Sequence, residues 1–219
     1  MPTITTVLWD FGGVITSSPF EAFNRYEISR GLPTDFIRTV NSRNPDTNAW
    51  AQFERSDIDA SAFSELFRVE AAALGHDVPG SDVLGLLSGE VRPVMVAALR
   101  ELRQQYRIAC LTNNVRSGRG PGMSADPARA AAVADVMQLF EVVVESSKVG
   151  VRKPELRFYE FACETLGIKP EEAVYLDDLG INLKPARALG MQTIKVTEPG
   201  QALGDLARVL GHPIAASIA

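Results

Sequence analysis

The sequence predicts an α/β fold in which a parallel sheet is covered by helices on both faces and a helical module follows the first strand. Short apolar runs alternate with helical patterns along most of the chain, as in strands joined by crossover helices. The runs are almost continuously apolar, which is typical of strands buried between two layers of helices. One long stretch near the amino terminus contains helical patterns only.

Five apolar runs are candidate strands, in chain order Thr5–Trp9, Arg107–Leu111, Val142–Glu145, Ala173–Leu176 and Gln192–Val196. Prolines mark where the helices between them are predicted to begin, because proline suits the first position of a helix. Pro93 begins one such helix, and Pro127 begins an alanine-rich one that runs to about Leu139. Pro154 is predicted to begin a third, which ends at Gly167.

The stretch from residue 19 to residue 90 contains no strand-like run, and its apolar residues recur at helical spacing. We predict a helical module of residues 19–90 inserted into a core of residues 1–18 and 91–219. Ordinary crossover helices remain the alternative, although a crossover of that length is unusual. Residues 116–126 are predicted to form a mobile loop, and residues 213–219 a loosely held tail.

Composition excludes several classes of protein. Hydrophobic residues make up 46% of the 219 and charged residues 22%, which is ordinary for a globular protein. A net charge of −5 argues against a nucleic-acid partner. No apolar run approaches the roughly 18 residues of a membrane span, and the amino terminus lacks a secretory pattern, so we expect a cytoplasmic protein without a membrane partner. Cys110 and Cys163 fit no metal or disulfide spacing and are predicted to be reduced core residues.

Four segments carry chemistry, and each is predicted to lie beyond the carboxyl end of a strand: Asp10, the run Thr112-Asn113-Asn114, Lys153 and the pair Asp177-Asp178. Ligands bind at the carboxyl ends of the strands in open parallel sheets, so we expect these segments to share one crevice. Three carboxylates there would repel one another unless a cation joined them. Mg²⁺ prefers oxygen ligands and usually combines a few carboxylates with substrate phosphate.

The remaining residue types fit a phosphorylated ligand. Thr112 and Asn113 offer hydroxyl, amide and backbone donors to phosphate oxygens, and Lys153 adds a positive charge. Such a set suits phosphoryl transfer through an aspartyl-phosphate. Each segment alone is weak evidence, because an Asp-Asp pair is often a solvated loop or helix cap and Thr-Asn-Asn is often turn chemistry. The ordered combination indicates the function.

The same four segments resemble the motifs of the haloacid dehalogenase superfamily. They are Trp9–Val14, Leu111–Asn114, Lys153-Pro154 and Leu176–Lys184. Nearly the whole chain is similar to the amino-terminal phosphatase domain of soluble epoxide hydrolase, and also to the amino-terminal domain of a multidomain acyl-CoA dehydrogenase relative. The resemblance implies a three-layer, Rossmann-like core, with residues 19–90 as a helical cap that closes over the site and selects a phosphorylated small-molecule substrate.

The resemblance also implies a role for each matching residue at the metal. Asp10 would be the nucleophile and a ligand of Mg²⁺. The backbone carbonyl of Gly12 and the side chain of Asp178 would complete the protein's ligands. Asp177 and Asn182 would support the site without binding the ion directly.

At the phosphate, the resemblance implies that Thr112 and Asn113 hold the group. Lys153 would neutralise both the nucleophile and the phosphoryl group.

The chain departs from the family pattern at Gly12. Phosphatases of the family normally carry an aspartate here, which protonates the leaving oxygen and later activates water, and such help contributes about 10²- to 10⁴-fold in rate. We therefore expect a phosphatase that is slow, substrate-assisted or dependent on a cap residue for proton transfer. A weakly catalytic domain that binds a phosphorylated ligand or a protein partner is one alternative. A 2-haloacid dehalogenase is another, although that branch lacks the paired aspartates seen here at Asp177-Asp178.

The aromatic residues of the module, Phe20, Phe23, Tyr26, Trp50 and Phe53, allow two interpretations. They could line an apolar substrate pocket, or they could form the small core of the module itself. Their helical spacing is typical of the second. The sequence contains no signal for the oligomeric state.

Overall fold

A computed structural model describes residues 3–114 and 127–215 and confirms the α/β fold. Five parallel strands form one sheet in the order β3-β2-β1-β4-β5. They are β1 (Thr6–Trp9), β2 (Arg107–Thr112), β3 (Val142–Glu145), β4 (Ala173–Asp177) and β5 (Gln192–Lys195). Every boundary lies within one residue of the predicted one.

Eleven α-helices accompany the sheet in the described residues. Five lie between β1 and β2 in the predicted module: α1 (Phe20–Arg30), α2 (Phe36–Ser42), α3 (Ala49–Arg55), α4 (Ala60–Ala72) and α5 (Gly80–Gly85). The others are α6 (Pro93–Leu102), α7 (Pro127–Met137), α8 (Ser146–Val149), α9 (Leu156–Leu166), α10 (Gly180–Leu189) and α11 (Pro199–Leu210), with a 3₁₀ turn at Pro170–Glu172. No helix in the described part of the chain is long and apolar enough to cross a bilayer.

Residues of β1, the central strand, alternate between the two faces of the sheet. Val7 and Trp9 join an apolar cluster that includes side chains of α6, α7 and α11, such as Leu99 and Leu203. Leu8 joins the cluster on the other face with side chains of α9 and α10. Since successive strand residues point to opposite faces, this division produces the predicted layers of helix, sheet and helix.

Of the predicted helix starts, Pro93 at α6 is correct and Pro154 is wrong. Helix α9 begins at Leu156, although it ends at Gly167 as predicted, in the left-handed region with φ +62°. The side chain of Asn113 holds the backbone of Lys153 at both its N–H and its carbonyl, at 2.9 and 3.0 Å. The segment before α9 is therefore a turn attached to the neighbouring strand.

The helical module has an apolar cluster of its own, and the described residues of the module contain no strand. Phe53 and Phe63 stack with ring centroids 4.8 Å apart at its centre. Phe23 is buried in the same cluster, and the other aromatic residues, Phe20, Tyr26 and Trp50, pack against its edge. The packing therefore favours the interpretation that these aromatic side chains form the core of the module.

The predicted tail is partly wrong, since Ile214 is fully buried in the cluster beneath the sheet. The N–H of Ala215 donates to the carboxylate of Glu101 at 2.9 Å. A single apolar residue after a proline has no periodicity that would predict such burial. Residues 216–219 and the predicted mobile loop of residues 116–126 lie outside the described residues. Cys110 and Cys163 are both buried free thiols, as predicted.

Candidate active site

The carboxyl edge of the sheet brings Asp10, Lys153, Asp177 and Asp178 together. Asp10 directly follows β1, and its N–H donates to the carbonyl of Leu176 on β4 at 2.8 Å. Lys153 Nζ lies 2.7 Å from Asp10 Oδ1 and 2.9 Å from Asp177 Oδ2. Carboxylate oxygens of the three aspartates lie within 4.8 Å of one another.

Asp177 and Asp178 occupy different surroundings although they are adjacent. Asp177 is the last residue of β4 and is fully buried, whereas Asp178 follows the strand and is partly exposed. Thr112 likewise ends β2 and is buried, so both residues lie one position earlier relative to their strands than predicted. Because strand side chains alternate in direction, one carboxylate of the pair points into the protein and the other is available to the crevice.

The carboxylate of Asp177 is satisfied by other protein groups. It accepts hydrogen bonds from Lys153 Nζ at 2.9 Å, from the Leu179 N–H at 2.7 Å and from Asn182 Nδ2 at 3.0 Å. The hydroxyl of Tyr175 donates to it as well. Asp177 thus orients Lys153 and the start of α10, and an ion would bind instead through Asp10 and Asp178.

Lys153 is a buried cation between two carboxylates, with 2% of its side chain exposed. Burial by itself lowers the pKa of Lys153, but Asp10 and Asp177 raise it by more, so its pKa lies well above the usual value. The ammonium group therefore stays charged throughout the physiological pH range. It provides a permanent positive charge beside Asp10.

The two carboxylates that would face an ion both have raised pKa values. Burial raises the pKa of Asp10 well above its usual range, Lys153 opposes this, and Asp177 and Asp178 add to it. Burial and the charge of Asp177 raise the pKa of Asp178 to about 6. A divalent cation would favour the ionised forms of both. This cluster of hard oxygen donors suits Mg²⁺, so the residues fit the predicted ion.

Thr112 and Asn113 lie beside the four charged residues but use their side chains differently. The hydroxyl of Thr112 makes one long hydrogen bond, 3.4 Å to the carbonyl of Asn113. Asn113 Nδ2 donates to the Lys153 carbonyl at 3.0 Å and to Glu54 Oε2 at 3.2 Å, while its Oδ1 accepts from the Lys153 N–H at 2.9 Å. The amide that was expected to hold phosphate is therefore engaged within the protein.

Two adjacent glycines shortly after Asp10, Gly12 and Gly13, differ in the space around them. Gly13 has φ +79°, and a Cβ there would overlap the carboxylate of Asp178, so the close approach of Asp178 requires a glycine. No heavy atom lies within 4 Å of a Cβ built on Gly12. The position that would carry the family's acid is thus open space.

Three residues at this edge of the sheet had not been predicted: Tyr175 contacts Lys153 and Asp177, whereas Glu54 and Arg152 adjoin Lys153 only through Asn113 and through the chain. Tyr175 lies two positions before Asp177 in β4, so its place on the same side of the strand was available from the spacing. Glu54 on α3 and Arg152 in the loop before α9 form a buried ion pair, with Arg152 Nε 2.5 Å from Glu54 Oε2. The resemblance implies a module that closes over the site, but nothing in the sequence indicates that Glu54 is the residue that reaches this edge of the sheet.

Comparison with known proteins places the chain in one family. The sequence model described as haloacid dehalogenase-like hydrolase matches residues 4–190. Mouse acyl-CoA dehydrogenase family member 10 is 34% identical over 95% of this chain, and mouse bifunctional epoxide hydrolase 2 is 31% identical over 93%. The chain spans only 19% and 38% of the lengths of these two relatives.

Phosphatases are among the other relatives, and solved structures share the fold. Phosphatase MT3486 of Mycobacterium tuberculosis is 25% identical, with 95% of this chain and 94% of that protein covered. A haloacid dehalogenase-family enzyme of Bacteroides thetaiotaomicron, solved with magnesium and inorganic phosphate, superposes with a TM-score of 0.63 at 23% identity. That match covers 93% of this chain and 98% of the other.

Proposed function

The chain belongs to the haloacid dehalogenase-like hydrolase family, and from this premise we propose that it is a Mg²⁺-dependent phosphatase of phosphorylated small molecules. The observation that carries the proposal is the position of Lys153 Nζ, 2.7 Å from Asp10 and 2.9 Å from Asp177, beside the partly exposed Asp178. In the proposed roles, these residues would supply a nucleophile, a fixed cation and a metal-binding carboxylate at the carboxyl edge of the sheet. The Bacteroides enzyme of the same fold, solved with magnesium and phosphate, supports this assignment.

In this proposal, Asp10, Asp178 and the carbonyl of Gly12 would hold Mg²⁺. When bound, Mg²⁺ supplies positive charge that offsets the negative charge of the carboxylates and of the phosphate oxygens. Thr112 would donate its hydroxyl to a phosphate oxygen. Lys153 lowers the repulsion between the carboxylate of Asp10 and the phosphate dianion.

The proposed reaction has two steps. The Asp10 carboxylate attacks phosphorus, and the bond to the leaving oxygen breaks with its electron pair passing to that oxygen. The leaving oxygen takes its proton from water or from the substrate itself, because Gly12 has no side chain to donate one. Water then hydrolyses the aspartyl-phosphate and regenerates Asp10 with release of inorganic phosphate.

We further propose that residues 19–90 act as a cap on the core formed by residues 1–18 and 91–219. The separate apolar cluster of the module supports a unit that keeps its shape when it moves. Several of its contacts with the core are polar, such as Ser56 Oγ donating to the Ser147 carbonyl at 3.0 Å. Polar contacts of this kind can be exchanged for contacts with water when a cap opens.

A second candidate function is supported by Gly12 alone. A domain that has the residues to bind phosphate and metal, but no general acid or base, would bind a phosphorylated ligand and turn it over very slowly. The epoxide hydrolase and acyl-CoA dehydrogenase relatives are much longer than this chain, so binding for the benefit of another domain is compatible with the family.

The Asp10→Asn variant tests the phosphatase proposal. We expect at least about a 10³-fold loss of turnover of p-nitrophenyl phosphate in the presence of Mg²⁺, with binding of inorganic phosphate retained in calorimetry. Asp135→Asn, on the exposed face of α7, is the matched control and should leave turnover unchanged. Equal turnover in wild type and Asp10→Asn would exclude Asp10 as nucleophile. Phosphate binding without turnover in the wild type would favour the second candidate.

The identity of the leaving group tests the role of Gly12. An aryl oxide leaves without protonation, so we expect aryl phosphates to be cleaved much faster than alkyl phosphates of similar size. The measurement is kcat for both substrates at saturating Mg²⁺. Equal rates would mean that another group supplies the proton. Absence of a specific Mg²⁺ site in calorimetry would instead favour a dehalogenase.

A further inference from the structure

Glu54 is a buried carboxylate of the module that contacts two residues of the core. It lies on α3 and is 5% exposed. Its Oε2 lies 2.5 Å from Nε of Arg152 and accepts a hydrogen bond from Nδ2 of Asn113 at 3.2 Å. Arg152 directly precedes Lys153 in the chain, and Asn113 is hydrogen-bonded to the Lys153 backbone. Glu54 therefore contacts both Arg152, which precedes the proposed catalytic lysine in the chain, and Asn113, which holds the backbone of that lysine.

Asn113 holds the backbone of Lys153 on both sides. Its Oδ1 accepts from the Lys153 N–H at 2.9 Å, and its Nδ2 donates to the Lys153 carbonyl at 3.0 Å. This pairing requires one orientation of the amide, because a flipped amide would place a donor against the Lys153 N–H. An ionised Glu54 can only accept hydrogen bonds, so it favours the orientation in which Nδ2 faces it. Glu54 thus selects the orientation of Asn113 that fits Lys153.

Arg152 is held by the module through two groups. Besides the contact with Glu54, its Nη1 donates to the carbonyl of Pro45 at 3.0 Å. The Arg152 and Glu54 side chains are only 14% and 7% exposed. Burial raises the pKa of Glu54, and Arg152 opposes that rise. Removal of one member of such a buried pair leaves an uncompensated charge, so the docked module and the segment before Lys153 depend on each other.

We propose that Glu54 is a positioning residue for Lys153, which it holds beside Asp10 through Asn113 and Arg152 when the module is docked on the core. The inference rests on the proposed function. It assigns to Glu54 a role different from that of the acid missing at Gly12, because Oε2 already faces both Asn113 and Arg152. Docking of the module would then complete the active site at the lysine.

Steady-state kinetics on Glu54→Ala and Glu54→Gln test the proposal. Misplacement of a catalytic group by a fraction of an ångström lowers the rate steeply, so we expect Glu54→Ala to lower kcat about 10-fold with KM within about 2-fold. Glutamine keeps an oxygen acceptor for Asn113 but leaves the charge of Arg152 uncompensated, so Glu54→Gln should recover part of the lost kcat. Arg55→Ala, which removes the module's contact with Glu155 at 3.4 Å, is the matched control and should leave kcat within about 2-fold.

A purely structural role for Glu54 predicts a different pattern. Glu54→Ala and Glu54→Gln would then lower Tm and raise KM to the same extent, as Arg55→Ala would, with kcat preserved. That pattern, or an unchanged kcat in Glu54→Ala, would overturn the proposal. Wild type without any turnover would contradict the proposed function instead, and the next measurement does not depend on turnover.

The side-chain amide of Asn113 reports its orientation directly by NMR. Its two protons, assigned by their loss in Asn113→Asp, should exchange slowly in wild type because both are hydrogen-bonded. We expect faster exchange of these protons in Glu54→Ala and near wild-type exchange in Glu54→Gln and Arg55→Ala. Unchanged exchange in a folded Glu54→Ala protein would show that Glu54 does not hold Asn113.

Discussion

The edge of the sheet and the helical module are stabilised by opposite kinds of contact. At the edge of the sheet, Lys153 is buried between Asp10 and Asp177, and each charge depends on a partner within 3 Å. In the module, Phe53 and Phe63 stack at the centre of an apolar cluster. The stability of the edge of the sheet therefore depends on the pairing of buried charges, and the stability of the module depends on close packing of apolar side chains.

This difference indicates how the two regions divide the work. Buried charges need partners at fixed distances, and the ends of neighbouring strands provide them because the hydrogen bonds of the sheet fix their spacing. A small apolar core keeps its internal contacts when it moves as a unit. We therefore expect chemistry to depend on the edge of the sheet and on the contact that Glu54 makes there, and access and closure to depend on the rest of the module. Four measurements test this contrast.

Lys153→Met should have the largest effect, and only on the edge of the sheet. Loss of the buried cation leaves Asp10 and Asp177 unpaired, which should lower the free energy of unfolding by about 3–5 kcal/mol. Loss of its charge beside the phosphate should lower kcat by about 10²- to 10³-fold. Urea unfolding and steady-state kinetics measure the two effects. Lys184→Met, at an exposed lysine, is the control. An equal effect there would contradict the special role of a buried charge at the edge of the sheet.

Phe63→Ala should destabilise the module while leaving the edge of the sheet intact. Truncation of a fully buried phenylalanine lowers stability by about 3–5 kcal/mol. We expect amide hydrogen exchange to accelerate in α3 and α4 and to stay slow in β1. Leu66→Ala, on the partly exposed side of α4, should have a much smaller effect. Equal acceleration in the module and the sheet would mean that the two regions unfold as one unit.

Gly12→Asp should raise alkyl-phosphate turnover by a change at the edge of the sheet alone. The open space at Gly12 accepts a side chain, and the restored acid can protonate an alkoxide leaving group. We expect alkyl-phosphate turnover to rise about 10-fold, towards the lower end of what general acid catalysis contributes. Aryl-phosphate turnover in the same variant serves as control and should change little. An unchanged alkyl rate would show that the lack of an acid does not limit turnover.

Mg²⁺ should stabilise the protein more at pH 7.5 than at pH 5. The pKa of Asp178 is raised to about 6 in the folded protein, above its unfolded value near 4, so the folded state binds more protons between these pH values. Stability from this group therefore falls as pH rises through that window. Mg²⁺ competes with the proton, so its affinity should be about 10-fold weaker at pH 5, or about 1.4 kcal/mol less stabilisation.

Scanning calorimetry with and without Mg²⁺ at the two pH values measures this difference. In Asp178→Asn the Mg²⁺-induced shift in Tm should be small at both. Equal shifts at pH 5 and pH 7.5 in the wild type would contradict the assignment of Asp178 as a ligand.

The sheet and the edge that carries the charged residues could be predicted from the amino-acid sequence alone. Strands buried on both faces leave continuous apolar runs, so each strand was predicted to within one residue, and parallel topology directs their carboxyl ends to one edge. Asp10, Lys153, Asp177 and Asp178 could therefore be identified before any coordinates. The helical nature of the module was equally readable, because its apolar spacing contains no strand pattern.

The pairing of polar groups, in contrast, could be learned only from the folded protein. It turned the Asn113 amide towards Lys153 and Glu54, moved the start of α9 to Leu156 and buried Ile214 beneath the sheet. The periodicity of a sequence records which side of an element is apolar, since burial is a property of each residue. A hydrogen bond or an ion pair depends on the distance and direction between two residues that are far apart in the sequence. Both quantities are defined only after the chain has folded.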